Sequence, residues 1–217
     1  MSDPFSSDEF KSASFLKQLK NYPALFTSTR FWPPTIVSSF SFSIFSIFFV
    51  GGPFVATFEY SLSPIYTGLY FTFPPIGFII GNLLISKFST LCSIKIFLIL
   101  GAFLVTLGPI FILVLTSFSS SPMAFFIPII IVTIGTGIIW PVANTEIVKS
   151  VPSLGGSASG ISSALMVVIS AIASGLVGTT IETYEPISIV VTALIIVGVI
   201  TLIGAFLIRE QGQNQLE

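Results

Sequence analysis

The sequence has very few charged residues, and this shortage decides where the chain can reside. Asp, Glu, Lys and Arg make up 8% of the 217 residues, whereas they make up about a quarter of an ordinary soluble domain. So little charge cannot solvate the surface of a globule, and we infer that lipid surrounds most of the chain. The net charge of −1 also argues against nucleic acid as a partner, because phosphate binding needs a basic surface.

Histidine is absent and cysteine occurs once. The chain therefore has no imidazole acid–base group and no histidine metal ligand, which excludes zinc hydrolases and histidine-dependent triads. Cys92 cannot form an intramolecular disulfide and is expected to pack at a helix end. No Walker sequence occurs, and Gly135 and Gly137 supply only two glycines of a dinucleotide-binding fingerprint. We expect no enzymatic activity, no catalytic residues, no cofactor and no metal.

Hydrophobic residues make up 53% of the chain and gather in six long runs. A helix needs about 20 apolar residues to cross the hydrocarbon core of a bilayer. Six segments reach that length without an Asp, Glu, Lys or Arg: 34–56, 66–86, 96–116, 123–145, 155–180 and 187–208. The predicted fold class is an all-α integral membrane protein with six transmembrane helices, flanked by segments 1–33 and 209–217.

The basic residues all lie at one end of the predicted spans, and they are Lys11, Lys17, Lys20, Arg30, Lys87, Lys95, Lys149 and Arg209. The loops at the other end contain Glu59, Glu182 and Glu185 and no Lys or Arg. Because Lys and Arg collect on the cytoplasmic side of membrane proteins, both termini are predicted to be cytoplasmic. The short loops further predict that consecutive spans pack as antiparallel neighbours.

Small residues indicate where helices could approach closely. Gly156 and Gly160 in the fifth span have the spacing of a small-xxx-small face, and Gly77 and Gly81 in the second span repeat it. Such a face serves either static packing or a sliding contact. The many phenylalanines of the first span either line an apolar cavity or face lipid and neighbouring helices.

Several stretches together resemble a known transporter family. They are YPALFTSTRFW at 22–32, YSLSPIYTGLYF at 60–71, GFIIGNLLISK at 77–87, the run from Gly135 to Pro141, and GGSASGISSAL at 155–165. Their order resembles the C-terminal half of a major facilitator superfamily drug:proton antiporter, closest to the bicyclomycin-resistance (Bcr/CflA) subfamily. Val142 departs from that pattern, which has an asparagine after the proline, although Asn144 is near.

The resemblance implies one half of a two-half fold. Members have twelve or more spans in two similar six-helix halves, with the substrate site between the halves near the midplane. The proton-coupling carboxylate usually belongs to the N-terminal half, which agrees with the charge-free spans seen here. The resemblance thus implies multidrug efflux by antiport in a plasma membrane, such as a bacterial inner membrane, with a lipophilic small molecule as substrate.

On this hypothesis, the first, second, fourth and fifth spans would face the complementary half. Candidate cavity residues, chosen by helix position, are Phe45, Tyr70, Phe73, Trp140, Asn144 and Met166. Candidate cytoplasmic gate residues are Lys87, Glu146 and Lys149, although Glu146 and Lys149 also suit a solvated helix end. Two alternatives stay open: a self-sufficient homodimer, and a non-transporting membrane protein such as a split-gene remnant or a docking or regulatory subunit.

Overall fold

The computed structural model describes residue 23 and residues 25–90 and 93–208. Cys92, Arg209 and the first three lysines lie outside this part of the chain. Residues 23 and 25–27 are helical, and after them come seven α-helices: α1 Trp32–Phe54, α2 Pro64–Tyr70, α3 Phe73–Phe88, α4 Ile94–Phe118, α5 Pro122–Ser150, α6 Gly155–Thr180 and α7 Pro186–Leu207. A π-helical turn, Val55–Glu59, extends α1, and a 3₁₀ turn, Pro152–Leu154, precedes α6.

These helices form six spans that are long and apolar enough to cross a membrane: Trp32–Glu59, Pro64–Phe88, Ile94–Phe118, Pro122–Ser150, Pro152–Thr180 and Pro186–Leu207. The predicted fold class, an all-α membrane protein of six spans, is confirmed. Most of the helices start slightly earlier than predicted because proline is favoured in a first helical turn, where its missing N–H has no intrahelical partner. Pro64, Pro122 and Pro186 hold such positions.

The second span is not one continuous helix. A turn at Phe71 and Thr72 separates α2 from α3. Pro74 and Pro75 stand in the first turn of α3, and their rings and missing N–H groups are incompatible with an uninterrupted hydrogen-bond ladder through that point. The predicted second span over 66–86 thus consists of two successive helices.

The packing of the helices differs from the order of the chain. Among consecutive helices, α4 and α5 pack extensively, whereas α6 and α7 touch only slightly. The main partner of α3 is α5, and the main partner of α6 is α1. The prediction that consecutive spans pack as neighbours holds for α4 with α5, and it is wrong for α3 with α4 and for α6 with α7. A short loop brings two helix ends together, but it does not force the helices to stay in contact along the bilayer.

The six spans form two groups of three, and the first helix of each group packs on the two later helices of the other group. Thus α1 packs on α6 and α7, and α5 packs on α3 and α4. The remaining large contacts join equivalent helices, α1 with α5 and α4 with α7. This is the pattern of an internal repeat in which α1, α3 and α4 correspond to α5, α6 and α7. Repeats of three plus three helices occur within six-helix transporter halves.

Glycines allow the closest crossings. A Cβ added at Gly101 of α4 would lie 2.7 Å from Cγ1 of Ile139 on α5, and one at Gly198 of α7 would lie 2.9 Å from Cα of Thr106. Both distances are shorter than real carbon contacts. Lipid is as apolar as the helices, so close van der Waals packing of this kind, rather than hydrophobic exclusion, holds the bundle together.

Candidate functional site

Four aromatic side chains from three helices form a cluster, called here the central aromatic cluster: Phe42 and Phe45 on α1, Phe78 on α3 and Trp140 on α5. The ring centroids of Phe45 and Phe78 are 5.6 Å apart, and those of Phe78 and Trp140 are 6.1 Å apart. Phe42 lies 5.6 Å from Phe45 and 6.4 Å from Trp140. All four side chains are half-buried, so the cluster has an inner side packed on the bundle and an outer side that is accessible.

The cluster depends on a direct approach of α3 to α5. A Cβ added at Gly81 would lie 2.9 Å from Cα of Gly137, and one at Gly137 would overlap the carbonyl oxygen of Phe78. Gly77 faces Thr133 in the same way. Without side chains at these glycines the two backbones touch, and the Phe78 ring reaches Trp140. Gly77 and Gly81 therefore lie at the crossing of α3 and α5.

Gly156 and Gly160 have a different environment. In the part of the chain that the structure describes, a Cβ added at either glycine would meet no atom within 4 Å. No close helix approach occurs at these two residues among the described residues, and this face of α6 is open to them. Of the six spans, the two that include α3 and α6 are the least buried, and the span formed by α5 is the most buried.

Tyr70 and Phe73 belong to a second aromatic group, nearer the end with the acidic loops. Tyr70 stacks on the buried ring of Phe126 with 4.5 Å between centroids, and Phe73 packs edge-on against Tyr70 at 5.6 Å. Phe48 contacts the Phe126 ring at 6.0 Å. The sequence-predicted candidates Tyr70 and Phe73 thus stabilise the junction of α2, α3 and α5.

Two further phenylalanines connect this second group to the central aromatic cluster. Phe49 lies 6.3 Å from Phe45 and 5.8 Å from Phe71, and Phe71 lies 4.8 Å from Phe48. Aromatic contacts therefore continue from the centre of the bundle toward the acidic end. Candidate selection by helix position did not include Phe42, Phe49, Phe71 or Phe78. The spacing of Phe42, Phe45 and Phe49, which places them on one helical face, was the signal that could have identified two of them.

Polar groups stand beside the central aromatic cluster. Asn144 follows Trp140 by four residues, on the same face of α5, and both are half-buried. Within the described residues neither the Asn144 amide nor the Trp140 indole N–H makes a hydrogen bond to protein. Half-buried groups with free hydrogen-bonding capacity are suited to binding a ligand. Met166 lies on α6, which packs more on α1 than on α5.

The gate candidates lie at the basic end of the bundle. The Nζ of Lys149 is 3.6 Å from Oε1 of Glu146, and the Lys149 side chain is 51% exposed. Spaced three residues apart on α5, the two side chains form an ion pair along the helix surface. Lys87 is exposed, with its Nζ 5.6 Å from the centroid of the neighbouring Phe88 ring. The structure pairs Glu146 with Lys149 and leaves Lys87 outside that pair.

Comparison with known proteins decides the family. The model of the Major Facilitator Superfamily matches residues 3–174 of the 217. The chain belongs to the major facilitator superfamily. The matched region includes α1 to α5 and most of α6, and it ends before α7. Searches of the curated proteins and of the solved structures gave no match.

Membership in the superfamily assigns the six-helix bundle to a class of proteins. The superfamily consists of membrane transporters, so the chain is a multi-pass membrane protein with a transporter fold. The packing of α1 on α6 and α7, and of α5 on α3 and α4, is the three-plus-three repeat expected inside a half of that fold. The accessible side of the central aromatic cluster is then the candidate substrate-facing surface.

Proposed function

We propose that the chain is one half of a secondary multidrug-efflux-type transporter, and that a complementary six-helix half completes its substrate cavity. The observation that supports this most is the central aromatic cluster. It is built from α1, α3 and α5, it is half-buried on an accessible surface, and Phe45 is the fourteenth of the 23 residues of α1. That position is near the middle of the helix, where substrate sites of such transporters lie between the two halves.

The surface chemistry favours a lipophilic substrate that is neutral or cationic. Phe42, Phe45, Phe78 and Trp140 present rings, whose faces attract cations. The Asn144 amide and the Trp140 indole add hydrogen-bonding groups that can orient the ligand. Anionic substrates find no positive charge on this surface, because the described basic residues lie at the basic end of the spans, away from the central aromatic cluster.

The complementary half would pack on the open faces of α3 and α6. Both helices leave most of their surface uncovered, and Gly156 and Gly160 offer a smooth strip on α6 where another helix backbone can come close. A second copy of the chain is the alternative occupant of this surface. The two arrangements differ in their stoichiometry, which can be measured.

Coupling to protons would depend on the complementary half. In the described spans, Asp, Glu, Lys and Arg occur only near the ends, and the central aromatic cluster contains none of them. An intramembrane carboxylate that takes up and releases protons is the usual device for coupling. We therefore expect drug:proton antiport to need a carboxylate from the other half. The basic end of the spans, with Arg30, Lys87, Lys95 and Lys149, would face the cytoplasm of a plasma membrane.

Efflux of ethidium, a lipophilic fluorescent cation, tests the proposal. Cells would express the chain alone, or together with a six-helix facilitator half that carries an intramembrane carboxylate. We expect ethidium efflux only with both halves, and we expect a protonophore to abolish it. No efflux in either case would overturn the proposal, whereas efflux by the chain alone, with a purified dimer, would replace the complementary half by a second copy.

A further inference from the structure

A deep groove separates α6 from α7 on the outside of the bundle. Both helices pack on α1 and scarcely touch each other, so a cleft of about 710 Å³ opens between them. Its floor includes Phe40 and Ile47 of α1, and its walls are mostly aliphatic, among them Leu176 and Ile196. Both wall residues are more than half exposed, so the groove opens outward along the bundle surface.

The length of the groove along the helix axis matches the thickness of one leaflet of a bilayer. Along α6 its lining extends from Ile169 to Thr180 at the helix end. The eleven steps between these two residues rise about 17 Å at about 1.5 Å per residue. One leaflet contributes about half of a hydrocarbon core that is about 30 Å thick. An extended acyl chain that entered from the acidic end would therefore fill the groove down to about the bilayer midplane.

The mouth of the groove carries polar groups at the level of lipid headgroups. Tyr184, Glu185 and Ser188 line it, and Ser188 Oγ donates a hydrogen bond to Oε2 of Glu185 at 2.8 Å. Tyr184 is 64% exposed, so its hydroxyl is free to donate to a phosphate oxygen. The sequence of the loops at this end contains Glu182 and Glu185 and no Lys or Arg.

From this geometry we propose that the groove between α6 and α7 binds a phospholipid with a primary-amine headgroup. One acyl chain lies between the helices, the ammonium group donates hydrogen bonds to the Glu185 carboxylate, and the Tyr184 hydroxyl contacts the phosphate. Charge-assisted hydrogen bonds to a carboxylate are about twice as strong as neutral ones. A choline headgroup has the positive charge but no N–H donor, and an anionic glycerol headgroup is repelled by Glu185.

Native mass spectrometry of the purified full chain with added lipid tests this site. The probes are phosphatidylethanolamine, phosphatidylcholine and phosphatidylglycerol with the same acyl chains. We expect one bound lipid, with ethanolamine preferred over choline and glycerol last. The substitution Ile196→Trp places an indole in the groove and should weaken binding about tenfold, as expected for losing two buried methylene groups.

Matched variants separate the groove from the rest of the surface. Ile203→Trp is the control for Ile196→Trp, because Ile203 is 56% exposed on the same helix and does not line the groove, whereas Ile196 is 54% exposed. Glu185→Gln should remove the preference for ethanolamine over choline, and Glu182→Gln should retain it. Equal lipid binding by Ile196→Trp and Ile203→Trp would overturn the proposal. So would a lipid-free dimer that Ile196→Trp dissociates, since a second copy would then occupy the groove.

Discussion

Gly81 and Gly137 bring the backbones of α3 and α5 into direct contact, since a Cβ added at Gly81 would lie 2.9 Å from Cα of Gly137. This crossing also sets the position of Phe78, whose carbonyl oxygen would clash with a Cβ at Gly137. The central aromatic cluster therefore depends on two residues without side chains. Substitutions at this crossing test the fold and the site together.

Gly137→Ala should destabilise the chain, because the added methyl group meets backbone atoms that cannot rotate away. Overpacking of this kind costs about 1–3 kcal/mol. The measurement is the thermal unfolding of the purified chain in detergent. Gly156→Ala is the matched control: its methyl group enters open space, and the gain in helix propensity should leave stability equal or slightly higher. Equal melting temperatures for the two variants would contradict the packing described here.

Gly160→Leu should leave the chain stable and yet prevent its assembly with a complementary half. A Cβ at Gly160 meets no atom of the described residues within 4 Å, and the leucine that extends from it would hold a partner helix away from α6. The check is ethidium efflux by co-expressed halves, together with co-purification of the two halves. Val199→Leu, which enlarges an exposed side chain on α7, should keep both. Normal assembly of Gly160→Leu would exclude this face of α6 as the docking surface.

Trp140→Ala should weaken the binding of a lipophilic cation such as ethidium about 3- to 30-fold. Removing the ring takes away a cation–π contact, and each such contact is worth about 0.5–2 kcal/mol. Phe45→Ala should have a smaller effect in the same direction. Phe103→Ala removes a ring that is 51% exposed on α4 and should change neither affinity nor efflux. Fluorescence titration of the assembled transporter provides the affinities.

The Glu146–Lys149 pair should contribute little to stability. Lys149 is 51% exposed, and pairs three residues apart on a helix are worth about 0.2–0.5 kcal/mol. A double-mutant cycle of Glu146→Gln and Lys149→Gln, measured by unfolding, should give a coupling energy of that size, decreasing with added salt. A coupling above about 2 kcal/mol would show a desolvated pair. A change in efflux rate without a change in stability would support a role in the cytoplasmic gate.

Tyr60, just after the π-helical turn, should make the chain less stable at high pH. Burial, and secondly the charge of Glu59, raise the pKa of Tyr60 above its ordinary value of 10.0. The folded chain therefore holds the phenol proton more tightly than the unfolded chain does. The resulting stability is fully present below pH 10 and is lost as pH rises through the folded pKa. Melting temperatures between about pH 9 and 11.5 should fall less for Tyr60→Phe than for the wild type, whereas Tyr184→Phe, at an exposed residue, should behave like the wild type.

The aromatic candidates show where sequence reasoning reached its limit. Helix position predicts Phe45 and Trp140 as cavity residues, and the structure brings them into one cluster through Phe42 and Phe78. Tyr70, predicted in the same way, stacks instead on Phe126. Helical periodicity indicates which side chains share a face, but it does not say which helix that face meets.

The sequence by itself determined the number of spans, the distribution of charge between the two ends, and the absence of ionisable groups from the middle of the bilayer. These properties follow from composition and length, because every backbone polar group in lipid must be satisfied within its own helix. The tertiary structure alone decided that α1 packs on α6 and α7, and that a groove opens between α6 and α7. Helix partners in a membrane depend on how closely particular surfaces fit, and Gly81 and Gly137 meet only because residues far apart in the chain have complementary shapes.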